Sequence, residues 1–242
     1  MINVIIVGAC GKMSTALVSA IAKEKDIKIV AGIESIGHPL IGTPIGIGFI
    51  QDNLQKVIHH ADIVVEFAIP EITLDNVKIS ANARKPYIIG TTGLKDLDVI
   101  KRYSKKIPIL ISANFSLGVN LLYKLTEISA NLLRDFDVEI IEAHHKMKRD
   151  APSGTAKNLA EIIKKVRDEK EVKIHSIRAG DIVGEHSVMF IGQGERLELV
   201  HRATNRNAFA TGVIHAIRFL VKQKPGLFSL EDLFLTKPAS QY

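Results

Sequence analysis

The first half of the chain alternates between short, nearly continuous apolar runs and longer stretches with apolar residues at helical spacing. Residues 3–7 read as a buried strand, and 12–23 as a helix with Met13, Ala16, Leu17, Ala20 and Ile21 on one face. Further strands are predicted at 27–33, 62–68, 87–89 and 107–112, with helices at 73–83 and 95–106. Strands without polar alternation, joined by helices, are what a parallel sheet covered on both faces requires. This half is expected to be a Rossmann-like, doubly wound α/β sheet.

The pattern changes near Asn114. A helix is predicted over 119–133, a strand over 138–143 and a helix over 155–168. Residues 172–177, 186–191 and 197–203 then read as strands, with only a Gly-containing turn between the last two, which implies a partly antiparallel sheet. A helix at 208–222 stops at Pro225-Gly226. The expected organisation is a dinucleotide-binding domain at 1–115 and an inserted mixed-sheet α+β domain for substrate and oligomerisation at 116–207. Residues 208–242 are expected to return to the first domain.

Composition narrows the class. With 46% hydrophobic residues, 5% aromatics and no Trp, the core must be aliphatic. One cysteine, Cys10, excludes an internal disulfide and fits a reducing compartment. The chain enters its first strand with no basic leader, and no apolar run approaches the ~20 residues that span a membrane. A cytoplasmic protein with no membrane partner is expected. The net charge of +6 is spread over separate helix faces without interleaved aromatics, which argues against nucleic acid and suits small polyanions.

Gly8, Ala9, Cys10, Gly11, Lys12 and Met13 follow the first strand and open a helix, so loop amides and the helix start can receive a pyrophosphate. The loop departs from G-x-G-x-x-G, with Cys10 and Met13 at the second and third glycine positions. Gly11 supplies the close backbone approach that Cys10 cannot. Glu34 ends the second strand about 20 residues on, where a carboxylate accepts from the ribose hydroxyls. No Lys or Arg occurs between Gly32 and Gln55, so NADH is expected to serve at least as well as NADPH. Gly90, Thr91 and Thr92, and Ser112, Ala113, Asn114 and Phe115, close later strands, where small residues line the crevice of such a sheet. Each of these is also ordinary turn chemistry.

The densest chemistry lies at Glu142-Ala-His-His-Lys-Met-Lys-Arg-Asp-Ala-Pro-Ser-Gly-Thr155. His144, His145 and Lys148 leave a strand. Ser153 is a natural N-cap, and the Gly154 and Thr155 amides at a helix start suit a carboxylate. Histidine beside lysine suits proton donation during reduction of an unsaturated ring. Adjacent histidines at a strand end point to opposite faces, and no third ligand has metal spacing, so no metal is expected.

This segment closely resembles the signature of the 4-hydroxy-tetrahydrodipicolinate reductase family, formerly dihydrodipicolinate reductase, of lysine and diaminopimelate biosynthesis. The likeness continues through Gly8–Met13, Glu66-Phe67, Gly90-Thr-Thr-Gly93 and Ala113-Asn-Phe-Ser-Leu-Gly-Val-Asn120. It takes in Arg178-Ala-Gly-Asp181, Val183-Gly-Glu-His186, Gly192-Gln-Gly-Glu195 and Glu198-Leu-Val-His-Arg-Ala203. Arg206, Phe209-Ala210 and Pro225-Gly-Leu-Phe228 complete it. The resemblance implies that His144 gives or takes a proton and Lys148 is the second proton donor. It implies that His145, Gly154 and Thr155 hold substrate carboxylates, and that the loop, Glu34, Gly90–Thr92 and Ser112–Phe115 hold NADH or NADPH. It also implies loss of water and hydride addition to a cyclic dicarboxylate, in a homotetramer assembled through the sheet domain.

The sequence departs from the family at Cys10, often glycine, at Ser35, often basic, and at Met147, often His or another polar residue. Two rivals are weighed. A semialdehyde dehydrogenase needs a nucleophilic cysteine in the second domain, and Cys10 is in the cofactor loop. A non-catalytic dinucleotide-sensing regulator needs a DNA-reading module, and no helix-turn-helix pattern occurs.

Overall fold

The computed structural model describes residues 1–205 and 207–235. Arg206, one point of the family likeness, and residues 236–242, the end of the expected C-terminal return, lie outside the described residues. The chain divides into two compact units, Met1–Phe115 with the chain from Phe209 onward, and Ser116–Ala208.

The first unit runs β1 (Ile2–Val7), α1 (Lys12–Ile21), β2 (Ile27–Ile33), β3 (Pro44–Ile45), β4 (Gly48–Gln51), α2 (Leu54–Val57), β5 (Ile63–Glu66), α3 (Pro70–Asn82), β6 (Tyr87–Ile89), α4 (Leu97–Ser104) and β7 (Pro108–Ile111). The apolar runs become strands with both faces covered: Val4, Ile5, Ile6, Val64, Ile88 and Ile109 are all fully buried. Helix α3 begins three residues before the predicted start, because Pro70 sits in its first turn, where a missing N–H costs no helical hydrogen bond. The β3–β4 hairpin and α2 were not expected. Two to four residues of strand carry too little periodicity to be read.

The second unit contains α5 (Leu117–Leu132), β8 (Asp137–His144), α6 (Gly154–Arg167), β9 (Lys173–Arg178), β10 (Gly184–Ile191) and β11 (Arg196–Ala203). Then α7 (Asn207–Leu220), β12 (Gly226–Phe228) and α8 (Asp232–Leu235) follow. The Pro225-Gly226 stop is also the entrance to β12, which pairs in parallel with β7.

The larger sheet has the order β12-β7-β6-β5-β1-β2-β4-β3, parallel except at β3–β4. The chain direction across it reverses at β1, flanked by β2 and β5. Such a switch point opens a crevice at the strand carboxyl ends. The smaller sheet has the order β11-β10-β8-β9, with β8–β9 parallel and the other pairs antiparallel. This is the mixed sheet expected for the second half. Helices α5 and α6 cover one of its faces through Val119, Leu122, Leu159 and Ile163, packed with Ile140, Val188 and Phe190. Their N-caps are Ser116, accepting the Val119 N–H, and Ser153, accepting the Ala156 N–H.

Candidate active site

In the first unit the switch point is built almost wholly from backbone. Gly8 has φ +74°, and a Cβ there would lie 2.3 Å from the Phe67 carbonyl oxygen, so this turn admits only glycine. Gly11 N–H donates to the Gly8 carbonyl at 3.1 Å and caps α1 with no side chain over the helix start. The Glu34 carboxylate reaches back over the loop, accepting the Cys10 N–H at 2.8 Å and the Ser35 N–H at 3.3 Å. Cys10 Sγ lies 3.9 Å from His38 Nδ1. Partial burial and the neighbouring Glu34 carboxylate push its thiol pKa up, so it is a poor nucleophile.

A cavity of ≈ 780 Å³ opens beside this loop. Gly8, Gly11 and Glu34 line one side, and Ile69, Ile72 and Asn76 of the β5–α3 region another. Among the described residues its lining holds the acids Glu34 and Asp52 but no Lys or Arg. Lys12 is exposed at the start of α1, while Ala9 is buried and Met13 half-buried. These features fit a dinucleotide: a helix start with no side-chain cap for phosphate, a turn without a Cβ, and a carboxylate at the end of β2 for ribose hydroxyls. The apolar Ile69 and Ile72 went unremarked in the sequence because nothing local marks a helix face as a cavity wall.

The other two strand ends are fixed from within. Thr91 is buried, and its hydroxyl donates to Glu66 Oε1 at 3.0 Å and accepts the Ala68 N–H at 3.1 Å. Glu66 also accepts from Thr73 (2.5 Å), Asn76 (2.9 Å) and Tyr87 (2.7 Å). Burial, with the Glu66 carboxylate beside it, holds the Tyr87 pKa well above 10.0. A Cβ at Gly90 would lie 2.1 Å from the Phe67 ring, which stacks edge-on against Phe115 at 5.4 Å. The Ser112 hydroxyl donates to the Asn114 carbonyl at 2.7 Å. Thr91 and Ser112 thus spend their hydroxyls shaping the crevice, while Thr92, Gly93 and Ala113 are exposed.

In the second unit the site lies at one end of the helix-covered face of the smaller sheet. Directly opposed residues form a polar row, Ser176–Glu142–His186–His201, with Arg178 opposite His144 beyond it and Gly184 against the His144 ring, beside the aliphatic row Ile174–Ile140–Val188–Leu199. Glu142 is fully buried. Arg178 grips it with both terminal guanidinium nitrogens at 2.7 and 2.9 Å, and the Ser153 N–H donates to it at 3.2 Å. Burial alone would raise this carboxyl. Hydrogen bonds from Arg178, Ser176, His144 and the Ser153 amide outweigh that and hold it at about 2.

His144 Nδ1 lies 2.5 Å from Glu142 Oε2. Because the ionised carboxylate only accepts, Nδ1 must carry hydrogen, and Nε2 is left to exchange a proton. A Cβ at Gly184 would lie 3.1 Å from that Nε2, so glycine leaves room at this nitrogen. Burial keeps the His144 pKa below 6.5 despite the Glu142 carboxylate, with Lys148 and Arg178 acting in the same direction as burial. Lys148 Nζ pairs with Asp150 Oδ1 at 2.9 Å, and this contact holds the Asp150 carboxyl below its usual range.

His145 is half-buried after the strand end. Gly154 begins α6 with nothing within 4 Å of where a Cβ would stand, so the helix start is open. His144, Lys148, Gly154 and Thr155 therefore share one loop-and-helix neighbourhood around Glu142. Arg178, Ser176 and His186 join it through sheet register; Arg178 and His186 fall in stretches of the family likeness, but nothing in the sequence gave them a role. No group of three or more His, Cys, Asp or Glu among the described residues is arranged to hold a metal.

A glycine-loop crevice in a doubly wound sheet, with a separate unit built around a buried Glu–His–Arg cluster, defines a two-unit dinucleotide-binding oxidoreductase. Comparison with known proteins makes the class specific. Family models described as the N-terminus and the C-terminus of dihydrodipicolinate reductase match residues 2–115 and 118–234. The chain belongs to the dihydrodipicolinate reductase family. A 4-hydroxy-tetrahydrodipicolinate reductase of Methanocaldococcus jannaschii is 39% identical over 266 residues, covering 96% of this chain and 97% of its own. One of Aquifex aeolicus is 36% identical over 263 residues, covering 96% and 98%. The solved dipicolinate-bound dihydrodipicolinate reductase of Paenisporosarcina sp. TG-14 superposes with a TM-score of 0.85 at 28% identity, over 96% of this chain and 99% of its own.

Proposed function

We propose that this chain reduces 4-hydroxy-tetrahydrodipicolinate to tetrahydrodipicolinate, losing the ring hydroxyl as water and taking up a hydride and a proton. The observation that carries the mechanism is the buried Glu142 carboxylate between Arg178 and His144. It fixes the His144 tautomer and points Nε2 away from the protein's own hydrogen bonds. The reduced nicotinamide dinucleotide supplies the hydride when bound. Gly8, Ala9, Cys10, Gly11, Lys12, Met13, Glu34, Gly90–Thr92 and Ser112–Phe115 are assigned to holding it.

The substrate carboxylates are assigned to His145 and the Gly154 and Thr155 amides at the start of α6, where the helix dipole favours negative charge. Lys148 is assigned as the proton donor. His144, neutral in the free protein, exchanges a proton through Nε2 and gains one more readily once a dianion lies beside it. The two groups thus divide the proton handling, Lys148 as donor and His144 as the shuttle whose state the substrate sets.

NADH is assigned as a cofactor at least as good as NADPH. A 2′-phosphate beside Glu34 would meet a second carboxylate, Asp52, and no cation in the cavity wall. Assembly as a homotetramer in the cytoplasm is part of the reading. The tetramer is supported by the face of the smaller sheet opposite α5 and α6, where among the described residues Ile177 is 47% and Val200 43% exposed between flanking charges. The test is oxidation of reduced dinucleotide by the purified protein, with substrate formed in situ from pyruvate and aspartate semialdehyde by the preceding synthase. Turnover with both cofactors is expected, and no turnover sinks the function. A tenfold or larger advantage of NADPH in kcat/KM, about 1.4 kcal/mol, sinks the assignment of Glu34.

A further inference from the structure

His186 is 4% exposed and stands in the polar row between Glu142 and His201. Its ring is edge-on to His144, with centroids 5.3 Å apart and planes at 74°. Its Nε2 lies 3.2 Å from Ser153 Oγ. That hydroxyl already accepts the Ala156 N–H at 3.2 Å as the cap of α6. The arrangement that satisfies both atoms has Ser153 donating to His186 Nε2. The Ser153 N–H donates to Glu142, the same carboxylate that orients His144. Ser153 is therefore gripped from both sides, its amide by the partner of His144 and its hydroxyl by an imidazole packed against His144.

We propose that His186 is a positioning residue for the substrate carboxylate. It fixes the Ser153 cap, and through that cap holds the Gly154 and Thr155 amides in register with His144. This rests on the assignment of those amides to a carboxylate in the preceding reading. Burial and the nearby His144 and His201 keep His186 neutral, at about 4, so it stays an acceptor for the Ser153 hydroxyl at physiological pH.

The same device occurs once more, which supplies a control. His201, directly opposite His186, places Nε2 3.2 Å from Ser116 Oγ, the cap of α5. That cap has no bond to Glu142, and α5 carries none of the proposed substrate ligands. Loss of His201 removes the matching imidazole-to-cap bond from a less buried ring, and takes no hydrogen bond from the α6 start.

The experiment compares His186→Phe, His186→Gln and His201→Phe in the full chain, by steady-state kinetics and by calorimetric titration with pyridine-2,6-dicarboxylate. His186→Phe should raise the substrate KM and the dicarboxylate Kd about tenfold or more, with kcat and the NADH KM within about threefold. His186→Gln, whose amide reaches the Nε2 position, should restore most of the loss, and His201→Phe should leave both constants within about threefold. An unchanged KM and Kd in His186→Phe overturns the proposal, as does an equal rise in His201→Phe. If His186→Phe does not fold, Ser153→Ala carries the test: it removes the link together with the cap bond to the Ala156 N–H, so an unchanged KM and Kd there overturns the proposal. Absence of turnover in the unmodified protein would remove the assigned reaction, while the dicarboxylate titration still reads the role of His186.

Discussion

Glu66 and Glu142 lie at or near the end of a strand, one in each unit, and both are fully buried. Glu66 is surrounded by four neutral donors, Thr73, Asn76, Tyr87 and Thr91, and fastens the loops after β5 and β6 to α3. Glu142 is held by a guanidinium, an imidazole and a backbone amide. A carboxylate met by neutral donors fixes position and passes on no charge. One met by Arg178 and His144 sets the tautomer of an imidazole and so the chemistry of its outer nitrogen. In the proposed function, the first unit thus uses its buried acid to shape a cofactor crevice, and the second uses its own to prepare a proton-transfer group.

The sharpest way to break this contrast is Glu142→Gln. A neutral amide can present a hydrogen to His144 Nδ1 and reverse its tautomer, so kcat should fall by about a thousandfold, toward the loss seen when a triad carboxylate is replaced. A fall of less than tenfold would place Glu142 with Glu66 as a purely structural acid. Lys148→Ala should lower kcat by about a hundredfold, the usual size of a general-acid contribution. A near-normal kcat would leave His144 as the sole proton-transfer group.

Acid stability separates the units more gently. The His186 pKa falls from 6.5 unfolded to about 4 folded, because burial and the neighbouring His144 and His201 disfavour its charge. A lowered histidine pKa means that the unfolded chain binds more protons. Its contribution is therefore complete above 6.5 and is lost as pH falls toward 4. Stability should drop by about 2 kcal/mol between pH 7 and 5 from this residue, with His201, lowered by burial, adding in the same direction. Denaturant unfolding at the two pH values should show a smaller drop in His186→Gln, and an equal drop would refute this assignment. The smallest effect is expected from Glu66→Gln. Its amide must turn a donor toward neighbouring donors, lowering stability by about 1–2 kcal/mol and raising the NADH KM a few-fold, with kcat unchanged. A loss of kcat there would erase the distinction between the two acids.

Local pattern alone determined the doubly wound half, the helix starting at the Ser153 cap and the neighbourhood of His144, Lys148, Gly154 and Thr155. These depend on periodicity, capping and separations of a few residues, which sequence expresses directly. The β3–β4 hairpin, α2 and β12 were missed because elements of two to four residues form only when neighbouring strands or helices hold them. The roles of Arg178, His186 and Gly184 were beyond local reading too. They stand 34 to 42 residues from His144 along the chain (178 − 144 = 34, 186 − 144 = 42) and meet its environment only through the register of β9 and β10 with β8. Hydrogen bonding across strands, together with the cost of burying Glu142 without charged partners, decided which of the many charged residues would surround it.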